Sequence, residues 1–151
     1  MCGRYTLFTD EEYQDIRKII RAVQEKGNEV KTGEIYPTNP APILVWEGKE
    51  TVPQAVKWGW PKFQGSGVLI NARAETAEEK NLFRKSVYTR RCVVPTTGFY
   101  EWDQEKAKYR FILPHANTLY LAGLYNEFQG ERRFLILTTE ANASVSFIHS
   151  R

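Results

Sequence analysis

Between residues 91 and 138 the sequence reads as a succession of short β-strands, and that limits the fold more than any other feature. Arg91 to Val94, Gly98 to Trp102, Tyr109 to Leu113, Thr118 to Tyr125 and Arg133 to Thr138 are rich in branched and aromatic residues, with turn-formers between them. Pro114-His115-Ala116-Asn117 reads as a hairpin turn between two of these strands. The first half holds fewer strands. Ile43-Leu44-Val45-Trp46 is one, and the Glu47-Gly48-Lys49-Glu50 turn leads it into a second through residues 51–58. Pro53 has no N–H to give a ladder, so it limits that strand to a sheet edge or a late start. Val68-Leu69-Ile70 is expected as a short buried strand that delivers Asn71, and the Gly- and Pro-rich stretches 33–42 and 59–67 as loops.

Helices are fewer. Thr9-Asp10-Glu11-Glu12 reads as a capping box, followed by Tyr13, Ile16, Ile19, Ile20 and Val23 at helical spacing and Gly27 as a stop. Thr76-Ala77-Glu78-Glu79 reads as a second box opening a helix that carries Leu82, Phe83 and Val87, and a last helix is expected to begin near Ala141. Many short strands beside two or three helices give an α+β fold, with mostly antiparallel strands in a barrel-like sheet and the helices packed outside. No repeat or linker divides the chain, so residues 1–151 are expected to form one domain.

Composition narrows the function classes. A chain 42% hydrophobic and 13% aromatic is too apolar to be disordered. No apolar run approaches the roughly 20 residues that span a bilayer, and no signal peptide is evident. Two cysteines, Cys2 and Cys92, exclude a disulfide scaffold and point to the cytoplasm. A net charge of +3 permits nucleic-acid binding without arguing for it.

The most informative position is Cys2. Initiator methionine is normally removed before a small second residue, which would leave an α-amine and a thiol on adjacent carbons. Their ordinary pKa values, about 8 and about 8.5, give both a reactive fraction near neutrality. The amine can condense with an aldehyde, after which the thiol can close a five-membered thiazolidine ring. Alternatively the amine can serve as base for its own thiol. The plain alternative is an incidental residue on a frayed end.

Other residues carry chemistry of their own. Arg4 can pair with a carboxylate or a phosphate, or simply be solvated. In Asn71-Ala72-Arg73-Ala74-Glu75-Thr76, Asn71 both donates and accepts, and Arg73 offers a fork suited to phosphate. Equally, Asn71 can satisfy a turn while Arg73 pairs with Glu75 or Glu78. In Gly98-Phe99-Tyr100-Glu101-Trp102, strand geometry puts Phe99 and Glu101 on one face, so Glu101 is an acid among aromatics, with its pKa expected to rise, or an outward residue of an edge strand. His149, on the expected last helix, has the ordinary pKa for proton transfer or is a polar helix residue. Trp58-Gly59-Trp60 offers aromatics for base stacking or for the core.

Taken together these blocks resemble the SOS response-associated peptidase (SRAP) family. The resemblance rests on Met1-Cys2-Gly3-Arg4-Tyr5, the 71–76 block, Arg91-Cys92 through Trp102, Leu121-Ala122-Gly123-Leu124 and Ile148-His149-Ser150-Arg151, together with Tyr36 to Pro40 and Trp58-Gly59. Five ordered blocks spanning the chain are far more specific than any single motif. Family members continue past the His-x-Arg block with Met-Pro and a further segment, which this sequence lacks.

The resemblance implies a function. Such a protein traps abasic sites in single-stranded DNA by forming a thiazolidine crosslink through Cys2. By the same resemblance Glu101 relays protons, Asn71 orients the amine and the sugar, and His149 is the general acid that opens the sugar ring. Arg4, Arg73 and Arg151 hold phosphates, while Trp58 and the Pro40 loop support the groove or stack on a base. No cofactor, metal or membrane partner is implied, and one site per chain fits a monomer. Peptidase action is expected to be removal of residues preceding Cys2. The alternatives are a thiol peptidase built on Cys2, His149 and Asn71, and a single-strand-binding module without chemistry.

Overall fold

The computed structural model describes residues 2–151. Removal of Met1 therefore lies outside the described residues. The largest structure is a closed five-stranded barrel. Its strands are β3 (Pro40–Trp46), β4 (Thr51–Trp58), β8 (Arg91–Thr96), β11 (Leu119–Phe128) and β12 (Glu131–Thr138). The order β11-β8-β3-β4-β12 closes through a β11–β12 pairing. Every pairing in that ring is antiparallel except β4 with β12. The α+β, barrel-like class expected from the sequence is what the chain forms. Pro53 sits where its missing N–H costs nothing: β4 pairs with β12 only at Lys57 and Trp58, so at Pro53 its far edge carries no ladder.

A smaller four-stranded sheet lies beside the barrel. It runs β10 (Lys108–Phe111), β9 (Gly98–Trp102), β1 (Tyr5–Leu7) and β2 (Gly33–Ile35), all antiparallel. The chain passes from barrel to sheet at Gly98, whose φ is +146°. A Cβ there would come within 2.7 Å of the Phe111 carbonyl oxygen, so only glycine allows β9 to turn directly out of β8. Short strands β5 (Trp60–Pro61) and β6 (Val68–Leu69) pair with each other, and β7 (Asn71–Arg73) runs parallel to the end of β12.

Three helices accompany the strands: α1 (Gln14–Glu25), α2 (Ala74–Ala77) and α3 (Asn81–Thr89). On α1 the residues Ile16, Ile20 and Val23 are buried, and Ile16 and Ile20 join the main core. That core also holds Tyr5, Leu7, Ile35, Ile43, Val45, Trp58, Val94, Phe134 and Ile136. A second cluster, with Trp60, Phe83, Leu124 and Leu135, lies on the outer face of the barrel. Alternation along β12 sends Phe134 and Ile136 to one cluster and Leu135 to the other.

Several local expectations are corrected. Neither capping box forms. Thr9 to Glu12 make a turn before α1, and no side chain caps that helix. Thr76 lies inside α2, where its carbonyl accepts from Glu79 and Lys80, and α3 starts uncapped behind Lys80. Leu82 faces solvent, whereas Phe83 is buried. Gly27 does stop α1, at φ +78°. The 33–42 loop shrinks to residues 36–39, because β2 and an earlier start of β3 claim its ends. Val68, Leu69 and Ile70 are half-buried rather than buried. The 114–117 turn joins strands of different sheets, so it closes no hairpin. The last helix is reduced to turns: Val145 and Ser146 N–H donate to the Asn142 carbonyl, and Ile148 and His149 N–H to the Val145 carbonyl, without continuing into a helix. Among the described residues no helix is long and apolar enough to cross a membrane.

Candidate active site

The segment that follows Cys2 is held in the small sheet, through Arg4 and β1, rather than frayed. Thr6 and Thr97 share a 2.7 Å hydroxyl hydrogen bond, Thr97 N–H donates to the Thr6 carbonyl at 2.8 Å, and Tyr100 N–H donates to the Arg4 carbonyl at 2.9 Å. These bonds hold the segment that carries Cys2 against β9. Cys2 is 7% exposed, and its thiol points toward the Arg4 carbonyl at 3.7 Å. Burial, reinforced by the Glu101 carboxylate, pushes the Cys2 thiol up to about 12. Cys92 is a second buried free thiol, pushed up to about 12 by burial.

Glu101 comes to the same place from β9. Phe99 and Glu101 share the face expected from strand alternation, and Glu101 is 5% exposed. Phe99 stacks on Phe111, at 5.2 Å between centroids. Cys2, Phe99, Glu101 and Phe111 line a cavity of about 600 Å³ whose far wall is the segment 136–151, including His149 and Arg151. The remaining wall, Ile112 to Pro114 with Leu119 and Leu121, is apolar. The beginning, middle and end of the chain thus meet in one cavity.

His149 follows the last turn, its N–H donating to the Val145 carbonyl at 3.1 Å. Its Nδ1 lies 2.8 Å from the Arg151 carbonyl oxygen and 3.1 Å from the Arg151 N–H. A proton on Nδ1 makes the first contact a hydrogen bond, and its absence makes the second one instead. Asn71 lies next to the cavity rather than in its wall. It pairs in register with Ile136, which does line it, and Nδ2 donates to the Ile136 carbonyl at 3.4 Å. Asn71 Oδ1 is buried and finds no hydrogen-bond partner among the described residues.

The other expected residues are spread more widely. Arg4 lies outside the cavity wall. Its guanidinium pairs with Glu34 at 3.4 Å and sits over the Tyr36 ring at 4.2 Å and the Trp102 ring at 5.1 Å. Glu34 also accepts from Lys108, whose hydrogen bond lowers its pKa. Arg73, at the end of β7, is exposed and has no ion pair among the described residues. The alternative partners are occupied elsewhere: Glu75 binds Arg151, and Glu78 accepts from Tyr88. Arg151 lines the cavity and donates to Glu75 at 2.7 Å and to the Thr138 carbonyl at 3.1 Å.

Trp58 corrects the stacking expectation. It is fully buried between Tyr5, at 5.1 Å, and Phe134, at 6.3 Å, with its indole N–H donating to the Ile70 carbonyl. Gly59, at φ +111° and packed on Val68, turns the chain so that Trp58 and Trp60 enter different clusters. Trp58 does brace the proline loop: its backbone bonds Thr38 at 2.7 Å and Asn39 at 3.1 Å, next to exposed Pro40. The aromatic offered to solvent after β5 is Phe63, 98% exposed between Lys62 and Gly65. Its place in a Gly-rich loop was the signal for it. Among the described residues no three of His, Cys, Asp and Glu are grouped as a metal site.

Comparison with known proteins agrees with the motif blocks. The abasic site processing protein YoqW of Bacillus subtilis is 34% identical over 171 aligned residues, which cover 100% of this chain and 74% of that protein. YoaM, an abasic site processing protein of the same organism, is 30% identical over 167 residues, covering 100% and 73%. A crystal structure of a protein from Bacteroides thetaiotaomicron superposes with a TM-score of 0.75 at 25% identity, over 97% of this chain and 72% of that one. The profile of the SOS response associated peptidase family matches residues 1–151, and the chain belongs to that family.

Proposed function

We propose that this protein captures abasic sites in single-stranded DNA by forming a thiazolidine between their C1′ carbon and Cys2. The observation that carries this reading is the convergence of Cys2, Glu101 and His149 on one cavity of about 600 Å³. That volume is in the range of small-molecule sites and accommodates a base-free sugar. The names of YoqW and YoaM favour the same substrate.

The chemistry proceeds in steps that this arrangement suits. The closed sugar opens when the C1′–O4′ bond breaks. Its electron pair goes to O4′, which takes a proton from His149, while the C1′ hydroxyl passes its proton to water and becomes the aldehyde. With Met1 removed, the Cys2 amine adds to C1′, and loss of water leaves an imine. The thiol then adds across the C=N bond: sulfur bonds to C1′ and its proton ends on nitrogen. Glu101 shuttles protons in the water-loss and closure steps. Asn71 Oδ1, buried and in need of a donor, orients the amine. Arg73 is the readiest phosphate ligand, since no carboxylate competes for it among the described residues. Arg4 and Arg151 would share their guanidinium groups between phosphate and their present partners, Glu34 and Glu75. Phe63 replaces Trp58 as the base-stacking candidate, and the Pro40 loop shapes the groove.

The thiol's environment favours this reading over a thiol peptidase. Burial, reinforced by the Glu101 carboxylate, favours the protonated Cys2 thiol, which speaks against a resting thiolate nucleophile. In the capture reaction the amine attacks first and the thiol closes the ring with its proton still attached. The test is covalent capture of a single-stranded oligonucleotide carrying one abasic site, which requires Cys2 and an unblocked amine.

A further inference from the structure

Residues 140–151 form a loop whose two ends meet one carboxylate. Glu75 Oε1 accepts from the Glu140 N–H at 2.9 Å, where the loop begins, and Oε2 accepts from Arg151 Nη2 at 2.7 Å, where it ends. The loop is closed on itself by Ala141 N–H donating to the Ser150 carbonyl at 2.9 Å. Arg151 also reaches the Thr138 carbonyl at 3.1 Å, on the strand that pairs with β7. His149 stands inside this loop and belongs to no helix or strand itself. Glu75 lies in the first turn of α2, directly after β7, which carries Asn71. The carboxylate does not line the cavity.

We infer that Glu75 is a positioning residue for ring opening: by clamping both ends of the 140–151 loop to α2, directly after the strand that carries Asn71, it sets where the His149 ring stands over the sugar. This rests on the reading of His149 as the acid that protonates O4′. The clamp is built to stay charged. The Arg151 hydrogen bond, with help from backbone N–H groups, holds the Glu75 carboxyl down to about 2. Glu75 therefore remains an anion at every pH at which the reaction is run. A rate loss on replacing it reports geometry rather than a proton it supplies, because displacing a catalytic group by about 1 Å costs up to about 100-fold.

The test compares two single-stranded oligonucleotides. One carries an ordinary abasic site, whose sugar must open. The other carries an acyclic aldehyde with no hydroxyl to close on, so that no ring opening is needed. In single-turnover reactions at saturating protein, where any change in phosphate binding by Arg151 drops out, Glu75→Ala is expected to slow capture of the abasic site by about tenfold or more and to change capture of the acyclic aldehyde by less than about twofold. Adding His149→Ala to Glu75→Ala should cost no more than His149→Ala alone, because both remove the same step. Glu75→Gln keeps an acceptor for Glu140 but loses the negative charge that faces Arg151, so it should give an intermediate rate. It carries the same comparison if the alanine variant does not fold. Equal slowing on both substrates, or fully additive losses with His149→Ala, would overturn the inference. Failure of the wild type to capture the acyclic aldehyde would instead overturn the Cys2 chemistry on which it rests.

Discussion

The Cys2 thiol and the Glu101 carboxylate share one wall of the same cavity, and the carboxylate helps burial hold the thiol in its protonated form. Two residues almost a hundred positions apart are brought together because β1 pairs with β9 just beyond each of them. This pairing gives the pH behaviour of the protein a definite sign. Cys2 and Cys92 titrate at about 12 when folded and near 9 when unfolded. Tyr5, buried without a partner for its hydroxyl among the described residues, is also raised well above its ordinary value. Each raised pKa means that the unfolded state releases its proton first. Their contribution to stability is therefore complete below pH 9 and is lost as pH rises toward 12. Thermal melts between pH 7 and 11 should show Tm falling above pH 9, with a shallower fall in Cys92→Ala. A Tm that stays level to pH 11 would contradict the buried, neutral thiols.

Trp58 and Phe63 should separate cleanly. Trp58→Ala removes a fully buried ring and is expected to cost about 3–5 kcal/mol of stability. Phe63→Ala removes an exposed ring and should leave Tm unchanged while weakening single-strand binding by about 1–3 kcal/mol. Denaturant unfolding and fluorescence anisotropy check the two. Unchanged anisotropy in Phe63→Ala would remove it from the DNA surface.

The fold class and the strand ladder of the second half were legible because alternation and turn residues agree there. Gly98 to Trp102 appears with its sequence-expected bounds, and Glu101 points into the cavity beside Phe99. What was not legible depended on contacts between distant segments. Thr76 has the right neighbours for a cap, but pairing of β7 with β12 starts a helix at Ala74, before the box begins. The turns around His149 lack enough residues at helical spacing to hold a helix, and Glu75 rather than local propensity keeps them in place. Trp58 could not be assigned to core or groove from Trp-Gly-Trp alone, since the outcome depends on Gly59 packing against Val68.

Arg73 should act through phosphate. Arg73→Ala is expected to weaken single-strand binding and to reduce the slope of log K against log salt by about 0.7, the value for one contact to a single strand. Binding isotherms at several salt concentrations give the slope. An unchanged slope would assign Arg73 a structural role.

Glu101→Gln preserves shape but cannot carry a proton between amine, water and thiol. It should slow capture by about 100-fold or more while leaving non-covalent binding within about twofold, as expected for loss of a general acid–base group. Single-turnover capture kinetics beside anisotropy would show this. A wild-type rate would remove Glu101 from the proton relay.

The most direct measurement is a denaturing gel of the purified protein with single-stranded DNA carrying one abasic site. A lesion-free strand, a Cys2→Ala variant and a form with the Cys2 amine acetylated run beside it, after intact mass has confirmed that Met1 is absent. A heat-stable shifted band is expected only for the wild type with the lesion. A band of equal intensity from Cys2→Ala, or from the acetylated form, would contradict capture through the amine and thiol of Cys2.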